Sequence, residues 1–212
     1  WYMYTGNRKY LDEQKDYVTE LLGELMKYVD DKGYEKLNAR FLDWPSSENP
    51  KGIDAGLQAL MAIAFDSGAK LETIWGNTEL AKKCSDISAK MKKCRRDFNG
   101  SKQAASLNAI AGMISPEKAA KKTILPGGAK DFSTFYGYYM LEALALAGCY
   151  TEAMDIMSQY WGAMLDLGAT TFWEDFNLDW TKNAARIDEL VPEGKVDIHS
   201  SYGNYCYKGF RH

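Results

Sequence analysis

Apolar residues recur along most of this chain at intervals of three and four, the spacing that lines one face of an α-helix. Val18, Leu21, Leu22, Leu25, Met26 and Val29 make the first such stripe, and Gly33 is its expected stop. Ile53, Leu57, Leu60, Met61, Ala64 and Phe65 make a second, ending near Trp75-Gly76. Asn77 or Thr78 is placed to cap a third helix carrying Leu80, Cys84, Ile87, Met91 and Cys94, closed by Asn99-Gly100. Ala104, Leu107, Ile110 and Met113 predict a shorter fourth helix. Ser115-Pro116-Glu117 opens a fifth with proline in its first turn. Tyr138, Leu141, Leu144 and Ala145 run to Gly148. Thr151 is the expected cap of a last long helix through Met154, Met157, Trp161 and Met164.

Helices joined by short Gly- or Asn-bearing turns read as αα-hairpins. The texture changes after Asp175, where Pro192, Gly194, Gly203 and Gly209 are interleaved with Tyr202, Tyr205 and Tyr207. That stretch predicts a long irregular segment with room for short strands, and loops of that length are usually functional. The chain therefore reads as all-α, with helical hairpins over about 10–167 and a loop-rich segment over 168–212.

Composition narrows what such a helical domain does. The 212 residues suffice for a substantial core, and 26 basic against 29 acidic residues leave a net charge of −3. Nucleic acid is thereby disfavoured as a ligand, because phosphate binding needs a clustered basic excess. The one basic cluster, Lys90, Lys92, Lys93, Arg95 and Arg96, fits the C-terminal turn of a helix. No stretch approaches the roughly 20 apolar residues of a membrane span. Cys84, Cys94, Cys149 and Cys206 lack paired metal spacing, and His199 and His212 are too few and too separated for a metal site. Asp175, Asp179 and Asp188 lack the regular loop spacing of a calcium site. No metal and no cofactor is expected.

The chemistry concentrates in Leu167-Gly-Ala-Thr-Thr-Phe-Trp-Glu-Asp175, straight after the last apolar helix. Gly168 suits a left-handed helix cap, so the chain leaves a rigid element and at once presents Thr170, Thr171, Trp173 and Glu174. A tryptophan beside an acid is what a sugar site needs: a flat face for pyranose C–H groups and an oxygen that accepts a proton. The plainer reading is a helix end whose Trp173 plugs the core while Glu174 and Asp175 are solvated. Trp44 is either a stacking wall or a core tryptophan at a turn. Asp43 either holds a sugar hydroxyl or caps the turn that Pro45 and Ser46 favour. Trp173 either lines a cleft or braces Glu174 from behind. Trp161 falls on an apolar stripe, which favours core over cleft.

Gly168-Ala-Thr-Thr-Phe-Trp-Glu174 resembles the Gly-Ala-Thr-Thr-x-Trp-Glu signature of glycoside hydrolase family 78, the α-L-rhamnosidases. Other segments agree in order. Phe41-Leu42-Asp43-Trp44 is similar to the family's Gly-Asp-Trp turn, with Leu42 in place of Gly. Lys102-Gln103-Ala104 resembles a helix opening built around a Gln. Leu141-Glu142-Ala143-Leu144 and Tyr160-Trp161-Gly162-Ala163-Met164-Leu165 resemble the helix pair leading into the signature. The resemblance implies an (α/α)6 barrel of six helical hairpins, here incomplete, as a single catalytic domain over 1–212. It implies Glu174 as the catalytic base of an inverting hydrolase, with Asp43, Trp44, Trp161 and Trp173 as candidate substrate-binding residues. The general acid would lie upstream of Trp1, so the remaining parts of a parent chain would be partners and the isolated chain would be inactive. The family's role points to terminal α-L-rhamnose on plant or polysaccharide glycans, and to a periplasmic or extracellular setting. Two rivals stay open: another glycosidase or polysaccharide lyase on the same barrel, and a helical interaction scaffold without chemistry.

Overall fold

The computed structural model describes residues 2–198. The observations above on Cys206, His199, His212 and the tyrosines and glycines beyond 198 lie outside the described residues. The described chain is all-α: α1 Tyr2–Thr5, α2 Arg8–Glu13, α3 Lys15–Met26, α4 Pro50–Ile74, α5 Thr78–Met91, α6 Lys102–Ile110, α7 Pro116–Ala119, α8 Gly137–Leu146 and α9 Tyr150–Asp166. Short 3-10 turns cover Trp44–Ser46 and Leu178–Lys182, and a π turn over Ala120–Ile124 extends α7. Among the described residues, extended pairing is confined to isolated bridges, Val29 with Glu35 and Ala184 with Val196. Over the described residues after Asp175, pairing does not extend beyond the Ala184–Val196 bridge. No described helix is long and apolar enough to cross a membrane.

The boundaries follow local chemistry. Asn77 caps α5 by accepting from the Leu80 N–H, and Ser115 caps α7 by accepting from the Lys118 N–H ahead of Pro116. Two expected ends move. Helix α3 stops at Met26, short of Gly33, because Val29 leaves the helix to bridge with Glu35, its side chain partly buried against the core. Thr151 lies inside α9, whose capping position is Cys149. Cys94 and Met113 both fall beyond their helices yet stay buried, so they continue an apolar stripe without continuing the helix.

Packing sorts the helices into two layers. Helices α4, α6 and α8 lie side by side, with α3 and α5 against α4, α7 against α6 and α8, and α9 against α8. The inner three run in the same sense. Asn49 Nδ2 donates to the Asn99 carbonyl at 3.0 Å, and six residues on, Asn108 Nδ2 donates to the Ala55 carbonyl at 3.2 Å. By contrast α5 returns along α4: Ser88 Oγ donates to the Ala62 carbonyl and Gln58 Nε2 to the Met91 carbonyl. The pairs α3–α4, α5–α6 and α7–α8, with α9 opening the next, form an arc of helical hairpins as in an (α/α) ring.

The arc closes tightly because its inner contacts are small. Ala55, Ala59, Ala104 and Ala111 pack around Leu42, Leu57 and Leu107. Leu42, where the resemblance expects glycine, is accommodated by Gly56 on α4: a Cβ there would come within 2.2 Å of a Leu42 methyl. A second anchor lies behind the arc. Buried Glu35 accepts from Arg40 at 2.8 Å, its backbone N–H donates to Gln58, and Arg96 stacks over Tyr34 at 5.0 Å. These bonds tie the segment after α3 to α4 and α5, so the turn at 41–46 enters α4 from a fixed position.

Candidate active site

Because α4, α6 and α8 are parallel, the segments that lead into them meet at one pole of the arc. Asp43, Ser46, Ser101, Gln103 and Ser133 are all buried there. Ser133 Oγ donates to Asp43 Oδ2 at 2.6 Å across 90 positions of sequence. Ser46 Oγ donates to Gln103 Oε1 at 2.9 Å and lies 3.0 Å from Ser101 Oγ. Gln103 Nε2 donates to the Asp131 carbonyl at 3.0 Å, and Lys102 Nζ to the Gly128 carbonyl at 2.6 Å. Burial pulls the Lys102 ammonium down to about 8. The network joins three helix entrances and the 126–133 loop into one platform. Each buried polar group in it has a partner, which makes such networks rigid.

Asp43 is 5% exposed. Burial pushes its carboxyl up to about 6, against the lowering effect of hydrogen bonds from Ser133, the Trp44 N–H and Gln103, while the nearby Asp175 adds to the rise. It occupies the capping position of the Trp44–Ser46 turn, but its side chain makes no cap bond; the carboxylate reaches across to the loop before α8 instead. The cap bond open from sequence does not form; of the turn's backbone N–H groups the carboxylate meets that of Trp44.

The fourth contribution comes from the end of α9. The Gly168 N–H donates to the Leu165 carbonyl and the Ala169 N–H to the Met164 carbonyl, with Gly168 at φ +89°, the paired-bond cap that needs a left-handed residue. The chain then crosses to the pole. Phe41, Asp43, Trp44, Thr134, Tyr136 and Glu174 are among the residues around a depression of about 410 Å³, with Phe135 and Phe172 on its rim. Phe41 and Trp44 meet edge to face with centroids 5.0 Å apart. The Tyr136 phenol is pushed up to about 12, first by burial and then by Asp43, so it stays neutral and keeps its O–H.

Two atoms in this depression stand apart from the satisfied platform beneath. Glu174 Oε2 and Thr134 Oγ1 are both buried, and neither has a hydrogen-bond partner. A buried polar oxygen without a partner forgoes solvation for nothing within the fold, and a carboxylate oxygen does so at the greatest cost. One oxygen of Glu174 is thus withdrawn from solvent, although the residue as a whole is only half-buried. Its neighbour Asp175 is also partly buried, which raises its carboxyl, with Glu174 adding to the rise.

The tryptophans divide. Trp44 is half-buried and lines the depression. Trp173 does not: it is 2% exposed and packs edge to face on Phe176 at 5.6 Å within the core, so it braces the loop from behind. Trp161 also lies elsewhere. It packs on Tyr160 and against Gly137 at the start of α8, and it borders a separate shallow hollow with Met164, Leu165 and Phe172. Neither ring borders the depression, which corrects both as lining residues there: Trp173 is sealed in the core beyond α9, and Trp161 on α9 packs toward α8. Thr134, Phe135, Tyr136 and Ser133 were not singled out from sequence. The signal for them is positional, since residues just before each inner helix must gather where Asp43 and Trp44 do.

Among the described residues no group of three or more His, Cys, Asp or Glu side chains converges as metal ligands would.

No family model matches the sequence. No curated protein matches it either. The fold does match a solved structure, that of a GH78 family rhamnosidase of Bacillus sp. GL1, with a TM-score of 0.63 at 20% identity. The match covers 91% of this chain and 22% of that one, so this chain spans about a fifth of the enzyme it resembles.

Proposed function

We propose that this chain is the base-bearing part of an inverting glycoside hydrolase that removes terminal α-L-rhamnose from glycans. The observation that carries the reading is the buried, unpartnered Glu174 Oε2 beside the unpartnered Thr134 Oγ1 in an aromatic depression. Supporting it are the fold shared with a rhamnosidase and the resemblance of the 168–174 segment to that family's signature.

In this reading Glu174 takes a proton from a water molecule as the water oxygen attacks the anomeric carbon from the face opposite the leaving group. Thr134 Oγ1 holds that water or a ring hydroxyl. Phe41, Trp44 and Phe135 offer apolar faces, which suit a 6-deoxy sugar because a methyl replaces its hydroxymethyl group. The leaving oxygen must be protonated as the glycosidic bond breaks. Asp43 is a poor donor, since its carboxyl is engaged by Ser133 and Gln103. The reading therefore assigns that proton to the upstream carboxyl that the resemblance implies. A lyase is less well supported: it must neutralise a uronate, and among the described residues neither Lys nor Arg borders this depression.

The test is the first-formed sugar. In its parent reading frame the enzyme should release β-L-rhamnose from an aryl α-L-rhamnoside, read as the anomeric proton signal before mutarotation. Retained configuration, or no turnover of any α-L-rhamnoside, would refute the assignment. The 212-residue chain alone should show little or no turnover, and robust turnover would place the proton donor within it.

A further inference from the structure

Three consecutive residues, Thr134, Phe135 and Tyr136, stand around the 410 Å³ depression, and one short turn carries them all. Both ends of that turn are tied down. At its start Ser133 Oγ donates to Asp43 Oδ2 at 2.6 Å, and the Ser133 carbonyl accepts from the Gly137 N–H at 3.0 Å. At its end the Tyr136 carbonyl accepts from the Met140 N–H at 3.1 Å, in the first turn of α8. The Tyr136 ring is wedged between neighbours, its centroid 5.4 Å from that of Tyr139 and 5.7 Å from that of Phe135. Tyr136 is thus fixed through both backbone and ring. Its hydroxyl is not used by the fold: it makes no cap bond to α8 and no other hydrogen bond among the described residues. Nothing in the hydrolytic step above uses it.

We propose that Tyr136 is a specificity-determining contact residue, whose O–H donates to one ring hydroxyl of the sugar held beside Glu174. The proposal rests on the glycosidase reading and deepens it by naming the residue that reads a hydroxyl of the substrate. The polar equipment of the depression divides by chemistry. An ionised Glu174 only accepts, whereas Thr134 and Tyr136 each carry a hydrogen to donate. With Thr134 Oγ1 buried and unpartnered like Glu174 Oε2, those two suit the attacking water, and the phenol is left for the sugar. Burial and the nearby Asp43 keep that phenol protonated, so it remains a donor. A sugar hydroxyl that accepts from Tyr136 still has its own hydrogen to give. A methylene in the same place strands the donor against carbon, which costs more than the missing bond alone. A site built to bond a hydroxyl therefore rejects an analogue lacking it more sharply than an apolar wall could. Because turn and ring are already locked, the donor needs no ordering when the ligand arrives.

The experiment is calorimetric titration of the full 212-residue chain and its Tyr136→Phe variant with methyl α-L-rhamnopyranoside and its 2-, 3- and 4-deoxy analogues. Tyr136→Phe should weaken the parent glycoside by about threefold to tenfold, the worth of one neutral hydrogen bond. At one ring position the wild type should prefer the parent over the deoxy analogue by a similar factor, and in the variant that preference should fall to within about twofold. Preferences at the other two positions should stay within about twofold of wild type. Loss of selectivity at a single position is what a merely structural role would not produce. If the variant weakens all four ligands alike, Tyr136 acts through packing and the proposal is overturned. Unchanged binding of all four overturns it as well, and both results leave the Glu174 reading standing. A Tyr136→Phe chain that fails to fold also overturns it, since the hydroxyl would then be bonded within the protein. Failure of the wild type to bind any of the four removes the Tyr136 contact and the sugar reading together.

Discussion

Asp43 and Glu174 border the same depression from loops that treat a carboxylate in opposite ways. Around Asp43, Ser133, Gln103 and the Trp44 N–H all donate to the side chain, and the turn is locked to the entrances of α6 and α8. Around Glu174, the support is apolar and lies behind: Trp173 is sealed into the core against Phe176, and the carboxylate oxygen above it is buried with no partner. The first arrangement spends its polar groups on the scaffold. The second keeps one in reserve. Buried polar groups are satisfied wherever stability alone decides, and it is on this contrast that the proposed role of Glu174 rests.

The comparison breaks most dramatically if Glu174 can be changed without loss of rate. If the proposed function holds, Glu174→Gln in the full parent protein should lower kcat by about 10²–10⁴, the usual contribution of a positioned acid or base. A change below about tenfold, or about 1.4 kcal/mol in barrier, would return Glu174 to a bystander.

The bracing role of Trp173 is tested next. Trp173→Ala empties a core position and should cost about 3–5 kcal/mol in urea denaturation. Trp173→Phe should retain much of that and, because the ring does not border the depression, should leave sugar affinity nearly unchanged. If Trp173→Phe instead abolished binding while the fold held, Trp173 would be a contact residue.

Asp43 gives a pH-dependent contrast. Its carboxyl is raised from 3.8 to about 6 in the folded protein. For an acid shifted upward the folded state binds the proton more tightly, so this contribution to stability is full below about pH 4 and is lost as pH rises through 6. Compared with Asp43→Asn, which does not titrate, the wild type should lose about 2 kcal/mol of unfolding free energy between pH 4 and pH 7. Parallel pH profiles for the two proteins would mean that Asp43 is not confined as the platform describes.

These contrasts were unevenly legible in the sequence. Helices α4, α5, α8 and α9 could be located because their apolar residues keep a period near 3.6. The end of α3 could not, since Val29 continues the stripe from an extended backbone and periodicity does not distinguish the two. Helix α6 is buried on nearly every side, so its stripe did not fix its limits; Ser101 caps it and Gly112 follows it at positive φ. Within the site, Asp43, Trp44 and Glu174 were visible as a motif and its ordered companions. Thr134 and Tyr136 were not, because only the parallel run of α4 and α8 brings residue 133 to residue 43. For Trp173 the sequence left lining and bracing open, because a tryptophan beside an acid suits a sugar wall and sequence does not show which way the ring turns; for Trp161 the apolar stripe already favoured the core over the cleft that the family resemblance suggested.

The most direct test of the central claim is the smallest effect, the unfolding free energy of Glu174→Gln in the 212-residue chain. Replacing a half-buried carboxylate, one of whose oxygens is buried without a partner, by a neutral amide of the same shape should cost no stability and should yield a gain of up to about 1 kcal/mol. A loss greater than about 1 kcal/mol would show that Glu174 holds the fold together as Asp43 does, and the difference between the two loops would disappear.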